Sequence, residues 1–138
     1  MTNGLNYLAL ARKAGLAELG EEPVGAAARK GKAYLIAVAG DASDHTWRRA
    51  KSYAAGTDQQ CIRLEATKDE MGFSVGRTSL AIAAFTDPAM ALAMVKALGR
   101  PEKYQEALEV LETKAERAKK RRSEAKAHQK NVRFGKKK

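Results

Sequence analysis

Apolar and polar positions at the start of the chain alternate between helical spacing and a short extended stretch. The helical spacing predicts a first helix, which Thr2 or Asn3 could cap and which ends near Gly15. Residues 17–19 predict a short strand. A second helix then opens on Gly20, and this order of elements indicates a mixed α/β chain.

The second helix and the strand after it carry clear local signals. Glu21 and Glu22 favour the positive end of a helix dipole, and Pro23 suits a first turn, where its missing N–H costs nothing. Gly31 ends the helix. The apolar run over residues 33–39 predicts a strand that is covered on both faces.

The same alternation continues to residue 98. The further predicted elements are a third helix capped by Ser43, a strand over residues 61–64, a fourth helix with a capping box formed by Thr67 and Glu70, a last strand over residues 80–85 and a fifth helix capped by Asp87. We therefore predict the α/β class, as a three-layer α/β/α sandwich with a small central mixed sheet, in residues 1–98.

Residues 99–138 have a different character. Pro101 marks the boundary, and Tyr104, Leu108 and Leu111 then recur at helical spacing. We predict a long amphipathic helix that runs into a basic, partly disordered tail. Its apolar face could pack on the sandwich or on a partner, and the sequence leaves both possibilities open.

Charge changes this picture because it is concentrated in one part of the chain. Residues 1–98 hold 12 Lys/Arg and 10 Asp/Glu, whereas residues 119–138 hold 10 basic residues and one acid. Residues 99–118, between them, carry 4 basic and 5 acidic residues. A nearly neutral body with a basic tail favours a polyanionic partner. Nucleic acid is favoured over a membrane because few apolar residues accompany the charges.

Signals for catalysis, metal binding or a nucleotide loop are weak. His45 and Cys61 have no partner at catalytic or metal-ligand spacing. The pair Gly31 and Lys32 lacks both the hydroxyl residue and the strand-before-helix order of a phosphate loop. We therefore expect no enzyme activity, cofactor, metal or small-molecule substrate. The single cysteine and the absence of a visible secretory signal or spanning apolar run favour a cytoplasmic protein that does not contact a membrane.

Five motifs occur in the order typical of one ribosomal protein superfamily. They are LALARKAG from residue 8, GEEPV from residue 20, RKGKAYLIAVAGDAS from residue 29, KDEMGFSVGR from residue 68 and TDPAMA from residue 86. Over residues 3–98 the chain resembles the bacterial YlxQ-like branch of the archaeal and eukaryotic L-seven-Ae / L-thirty-e superfamily. The resemblance implies an α/β/α sandwich that binds structured RNA, often a kink-turn, through one end.

The resemblance implies three segments at the RNA-binding end, which are residues 20–24, 40–43 and 76–79. Nearby cations and the basic tail are expected to contact phosphates of the same RNA. The expected RNA-binding residues are Gly20, Glu21, Glu22, Val24, Arg29, Lys30, Lys32, Gly40, Asp41, Ser43, Gly76, Arg77, Thr78, Lys119, Lys120, Arg121 and Arg122.

One motif departs from the kink-turn binders of the superfamily. Those proteins have Gly-x-Asn-Glu where this chain has Gly20, Glu21, Glu22 and Pro23, a form that the YlxQ-like branch shares. An ionised Glu22 can only accept hydrogen bonds, and two carboxylates repel a phosphate backbone. The two acids either take part in RNA contacts or only stabilise the start of the helix, and recognition of kink-turns in the archaeal manner does not follow.

The sequence therefore predicts a cytoplasmic, non-catalytic protein that binds structured RNA, which we expect to be ribosomal or ribosome-associated. The alternative is a protein-interaction adaptor, which would use the sandwich and the face of Tyr104, Leu108 and Leu111 on the helix after residue 101. A third hypothesis is an RNA-substrate module whose catalytic partner is a separate subunit.

Overall fold

Helices and strands alternate through the first two thirds of the chain, and one long helix completes it. A computed structural model describes the backbone of residues 4–133 and the side chains of residues 4–126. The helices are α1 (Leu5–Lys13), α2 (Glu21–Arg29), α3 (Asp44–Ala54), α4 (Lys68–Ser74), α5 (Pro88–Ala97) and α6 (Gln105–Arg133). The strands are β1 (Ala17–Leu19), β2 (Leu35–Val38), β3 (Gln60–Arg63) and β4 (Ile82–Phe85).

The four strands form one mixed sheet in the order β1-β4-β2-β3. β2 and β3 are parallel, whereas β4 runs antiparallel to both β1 and β2. Val38, the last residue of β2, lies opposite Ile82 at the start of β4 and opposite Arg63 at the end of β3. The chain therefore leaves β1, β2 and β3 and enters β4 at the same end of the sheet.

Helices cover both faces of the sheet, which confirms the predicted α/β/α sandwich. α2 and α3 pack on one face, and α1, α5 and α6 pack on the other, with α4 against α1. All four residues of β2 and all four of β4 are buried. These two strands read as continuous apolar runs because they lie at the centre of the sheet, where both faces are covered.

Most of the predicted helix starts are confirmed by their cap hydrogen bonds. Ser43 and Asp87 accept the backbone N–H three residues ahead, and Thr67 with Glu70 forms a complete capping box. The predicted cap of α1 is wrong. Gly4 stands at the N-cap with a φ of 94° and no side-chain cap, while Thr2 and Asn3 lie outside the described residues.

Helix α6 answers the question that the sequence left open about the segment after residue 101. Tyr104, Ala107 and Leu111 are at most 5% exposed and belong to the core, because α6 packs against α5 and β3. The helix then continues without a break to Arg133. The described part of the segment predicted as a partly disordered tail is therefore helical.

Candidate nucleic-acid interface

The sheet register brings together the three segments that the sequence placed at an RNA-binding end. Gly20 donates its N–H to the carbonyl of Ile82 over 3.0 Å, so the start of α2 adjoins the start of β4. The N–H of Leu80 donates to the carbonyl of Lys68 over 3.0 Å, and this contact places the segment before β4 beside α4. We call residues 20–23, 40–43 and 76–79 the glycine end.

The loop after β2 is held closely against the chain that leaves β3. Gly40 donates its N–H to the carbonyl of Ala66 over 2.8 Å, and a Cβ at Gly40 would stand 2.5 Å from the carbonyl oxygen of Leu64. Only glycine fits this approach of backbone to backbone. Asp41 then accepts the N–H of Lys68 through Oδ1 over 2.8 Å, which ties the loop to the first turn of α4.

Arg63 braces the same loop from the end of β3. Its guanidinium donates from Nη2 to the carbonyl of Ala42 over 2.8 Å and lies 5.5 Å from the centre of the Trp47 ring. Tyr104, just before α6, donates its hydroxyl to the carbonyl of Arg63 over 3.0 Å. The glycine end is therefore supported by the edge strand and by the segment that leads into α6.

At the start of α2 the two glutamates have different surroundings. Glu21 accepts the hydroxyl of Thr46 over 3.2 Å and lies 3.7 Å from Arg49, so it links α2 to α3. Glu22 is exposed. The contacts favour a structural role for Glu21. Val24, another expected RNA-binding residue, is 0% exposed, so its side chain lies in the core.

The segment before β4 presents a feature that the sequence analysis missed. Phe73, on α4, is 78% exposed and lines a shallow depression together with Arg77 and Thr78. Met71 and Val75 are buried and lie four residues apart on the inner face of α4. A residue two positions after Met71 must then face outward, and this helical spacing could have identified Phe73 from the sequence.

Charge at the glycine end is mixed. Exposed carboxylates of Glu22, Asp44 and Asp69 lie at the same end of the molecule as Arg77 and Lys68. Phosphates would meet both attraction and repulsion there. The geometry instead offers backbone groups in close-packed loops, hydroxyls such as those of Ser43 and Thr78, and the exposed ring of Phe73.

The structure places the predicted cations at a distance from the glycine end. α2 begins at the glycine end and its nine residues span about 13 Å, so Arg29 lies at the other end of the sandwich. Lys30 and Lys32 follow there, ahead of the start of β2. We call the end that holds residues 29–32 the basal end.

The basic part of α6 lies beyond this basal end as well. Tyr104 contacts Arg63 at the glycine end, whereas Lys114 pairs with Asp58 just before β3, over 2.6 Å. α6 therefore runs from the glycine end to the basal end. The four predicted cations that follow, Lys119, Lys120, Arg121 and Arg122, are exposed on its continuation.

Other chemistry finds little support in the part of the chain that the structure describes. Burial raises the pKa of the Cys61 thiol to about 12, so it is protonated at neutral pH and a poor nucleophile. Within residues 4–126 no group of His, Cys, Asp and Glu side chains could hold a metal ion. None of the described helices has both the length and the apolar composition to cross a membrane.

The fold and the glycine end define an α/β/α sandwich whose close-packed loops meet at one end of a four-stranded sheet. Solved structures share this fold. A Bacillus halodurans protein of unknown function matches with a TM-score of 0.66 and 19% identity, over 72% of this chain and 99% of that one. The Giardia lamblia 15.5kD RNA binding protein matches with a TM-score of 0.58 and 16% identity, over 71% of this chain and 83% of that one. No protein-family model and no curated protein matches the sequence.

Proposed function

We propose that the chain is a non-catalytic, cytoplasmic protein that binds structured RNA through its glycine end. We further propose that the RNA is ribosomal or ribosome-associated and that the chain belongs to the YlxQ-like branch of the L-seven-Ae / L-thirty-e superfamily. The observation that carries the proposal is the convergence of residues 20–23, 40–43 and 76–79 at one end of the sheet.

Two further observations support RNA as the ligand. The 15.5kD protein of Giardia lamblia has the same fold and is an RNA-binding protein. The exposed ring of Phe73 next to Arg77 is a suitable platform for an unpaired base, because sequence-specific RNA recognition stacks splayed bases on aromatic and Arg side chains.

Each part of the glycine end has a distinct role in this proposal. The loops at Gly40 and Gly76 let the RNA backbone come close, and Ser43 and Thr78 supply hydroxyls at its edge. Arg77 provides an exposed cation, in a depression that the carboxylates of Asp69 and Glu70 also line. The hydrogen bonds that fix the loops in advance lower the ordering cost of binding.

The contacts of α6 argue against the helix face that the adaptor alternative would use. Tyr104 and Leu111 are buried in the core of the chain itself, and Leu108 is partly buried against it. A partner could not reach this face of α6 without displacing α5 and β3.

Ultraviolet crosslinking of the full-length protein to RNA tests the proposal directly. Trypsin cleaves after Lys68 and Arg77 and releases residues 69–77, which contain Phe73. We expect crosslinked nucleotides on this peptide and sequencing of the RNA to identify a structured ribosomal segment. Residues 104–114, another tryptic peptide, run along α6 from one end of the sandwich to the other with Tyr104 and Leu111 buried, and they are the matched control. Crosslinks on the control and none on residues 69–77 or 33–48 would contradict binding through the glycine end.

A further inference from the structure

A buried glutamine fixes the turn of cations at the basal end. Gln59 is 6% exposed and accepts the N–H of Ala33 over 2.8 Å, while its Nε2 donates to the carbonyl of Ala28 over 3.3 Å. These bonds clamp the chain on both sides of residues 29–32. Arg29, Lys30 and Lys32 are thus exposed on a turn with a defined position.

Helix α6 contacts the segment that carries this clamp. Asp58 directly precedes Gln59, and its carboxylate binds Lys114 over 2.6 Å. The Lys114 ammonium lowers the pKa of Asp58, so this carboxylate is ionised and neutralised by its partner at physiological pH. A chain of contacts therefore runs from the turn over residues 29–32 through Gln59 and Asp58 to α6.

Cations beyond Lys114 are arranged as a stripe on α6. Lys119, Arg122 and Lys126 are exposed and follow each other at i, i+3 and i+7, which is one face of a helix. The stripe spans about 10 Å of helix, and its first two residues line a depression together with residues of α5. Glu124 falls one turn after Lys120, off the stripe.

Helix-dipole compensation explains only part of this charge. Cations stabilise the last turn of a helix, which accounts for Arg29 in α2. Lys32 lies outside α2, and Lys119 stands four turns before the end of α6. Like charges one turn apart repel each other along a helix, and a polyanion relieves that repulsion.

We propose that the turn over residues 29–32 and the stripe of Lys119, Arg122 and Lys126 form one phosphate-binding surface for RNA, separate from the glycine end. It rests on the RNA binding proposed above and adds a second site to it. The surface contacts the sugar–phosphate backbone and is indifferent to base sequence, because Lys and Arg on a solvated helix contact phosphates without reading bases. A protein with RNA surfaces at opposite ends holds two RNA segments apart at a fixed distance.

Three full-length variants with equal loss of charge test this surface. Their affinity for a short RNA duplex of arbitrary sequence is measured as a function of salt, with phosphatidylserine vesicles as a second polyanion. The variants are R29Q/K30Q/K32Q at the turn, K119Q/R122Q/K126Q on the stripe and, as the matched control, R48Q/R49Q/K103Q, all exposed and none at the basal end.

We expect the turn and stripe variants each to bind the duplex about tenfold more weakly, with a slope of log K against log salt less negative by about 2 to 3. The control should change affinity by about twofold or less. If either basal variant behaves like the control, the single surface is wrong. Binding to vesicles without binding to the duplex would overturn the assignment to RNA. These results do not depend on crosslinks at the glycine end, so failure of the proposed function is recognised separately.

Discussion

The two ends of the sandwich differ in the kind of surface they present. The glycine end has close-packed loops, mixed charge and an exposed aromatic ring at Phe73. The basal end has a turn that holds Arg29, Lys30 and Lys32, and the cationic part of α6 extends beyond that end. In the account proposed above, shape and base stacking contribute most of the RNA affinity at the glycine end, and charge contributes most of it at the basal end. RNA recognition that depends on structure should therefore be separable from salt-dependent affinity by mutation of one end at a time.

The largest expected effect comes from removal of the basic part of α6. A chain that ends at Ala118 keeps Tyr104 and Leu111 in the core, so its thermal unfolding should match that of the full chain. If residues 119–138 engage about five to eight phosphates, the full chain has a salt slope of roughly −4 to −7. The truncated chain should lose most of that slope and about a hundredfold or more in affinity. A salt slope that the truncation leaves unchanged would remove this segment from RNA binding.

A substitution at Gly40 should damage the glycine end and leave the basal end intact. The Cβ of G40A would stand 2.5 Å from the carbonyl oxygen of Leu64, so the loop must shift, at a cost of about 1–3 kcal/mol in the free energy of unfolding. Chemical denaturation measures the loss. The control is G56A, where φ is 75° but nothing lies within 4 Å, with a cost of about 1–2 kcal/mol for backbone strain alone. Binding of structured RNA should fall in G40A only, and equal losses in both variants would argue against the glycine end.

The aromatic platform is tested by F73A. Stacking of a base on an aromatic side chain contributes about 1–3 kcal/mol, so the affinity for structured RNA should fall by roughly five- to a hundredfold without a change in salt slope. L10A is the control, since Leu10, on α1, is the other large hydrophobic residue that is exposed within residues 4–126, at 49%. Affinity equal to that of the L10A variant would show that no base stacks on Phe73.

The smallest effect concerns the contact that joins α6 to the basal end. The D58N variant loses the pairing with Lys114 and should be less stable by about 0.2–1 kcal/mol at neutral pH, since Asp58 is 62% exposed. Because Lys114 lowers the pKa of Asp58, this stabilisation is present above the ordinary pKa of 3.8 and is lost as pH falls through the lowered value. Unfolding of both proteins at several pH values measures it. A difference that persists at pH 2 would point to another cause.

Local signals in the sequence predicted the helices and strands well. They did not predict which residues, far apart along the chain, lie at the same end of the fold. Ser43, Thr67 and Asp87 cap their helices through bonds within four residues, so their types alone identified the helix starts. The end of the sandwich that holds Lys30 depends on strand register, which pairs residues far apart in sequence. Nearness along the chain to Gly20 therefore suggested a shared surface that the fold does not form.

The course of α6 could have been predicted more fully. No Gly or Pro lies between Pro101 and Gly135, so nothing in the sequence stops the helix where the charges begin. The absence of Gly and Pro does not predict that Tyr104 is buried against Arg63, because that contact depends on the position of the edge strand β3. The resemblance to a ribosomal protein superfamily identified the glycine end, but it covers only residues 3–98 and gave no information about the helix.

Competition between two RNAs is the most direct test of an account with separate surfaces at opposite ends. The full-length protein is bound to an immobilised short duplex, and the structured RNA identified by crosslinking is then added in labelled form. Separate surfaces predict that the labelled RNA is captured on the protein while the duplex stays bound, and that F73A loses this capture. The account is contradicted if the structured RNA displaces the protein from the duplex at every ratio of structured RNA to duplex. That result would show that both RNAs bind a single shared surface.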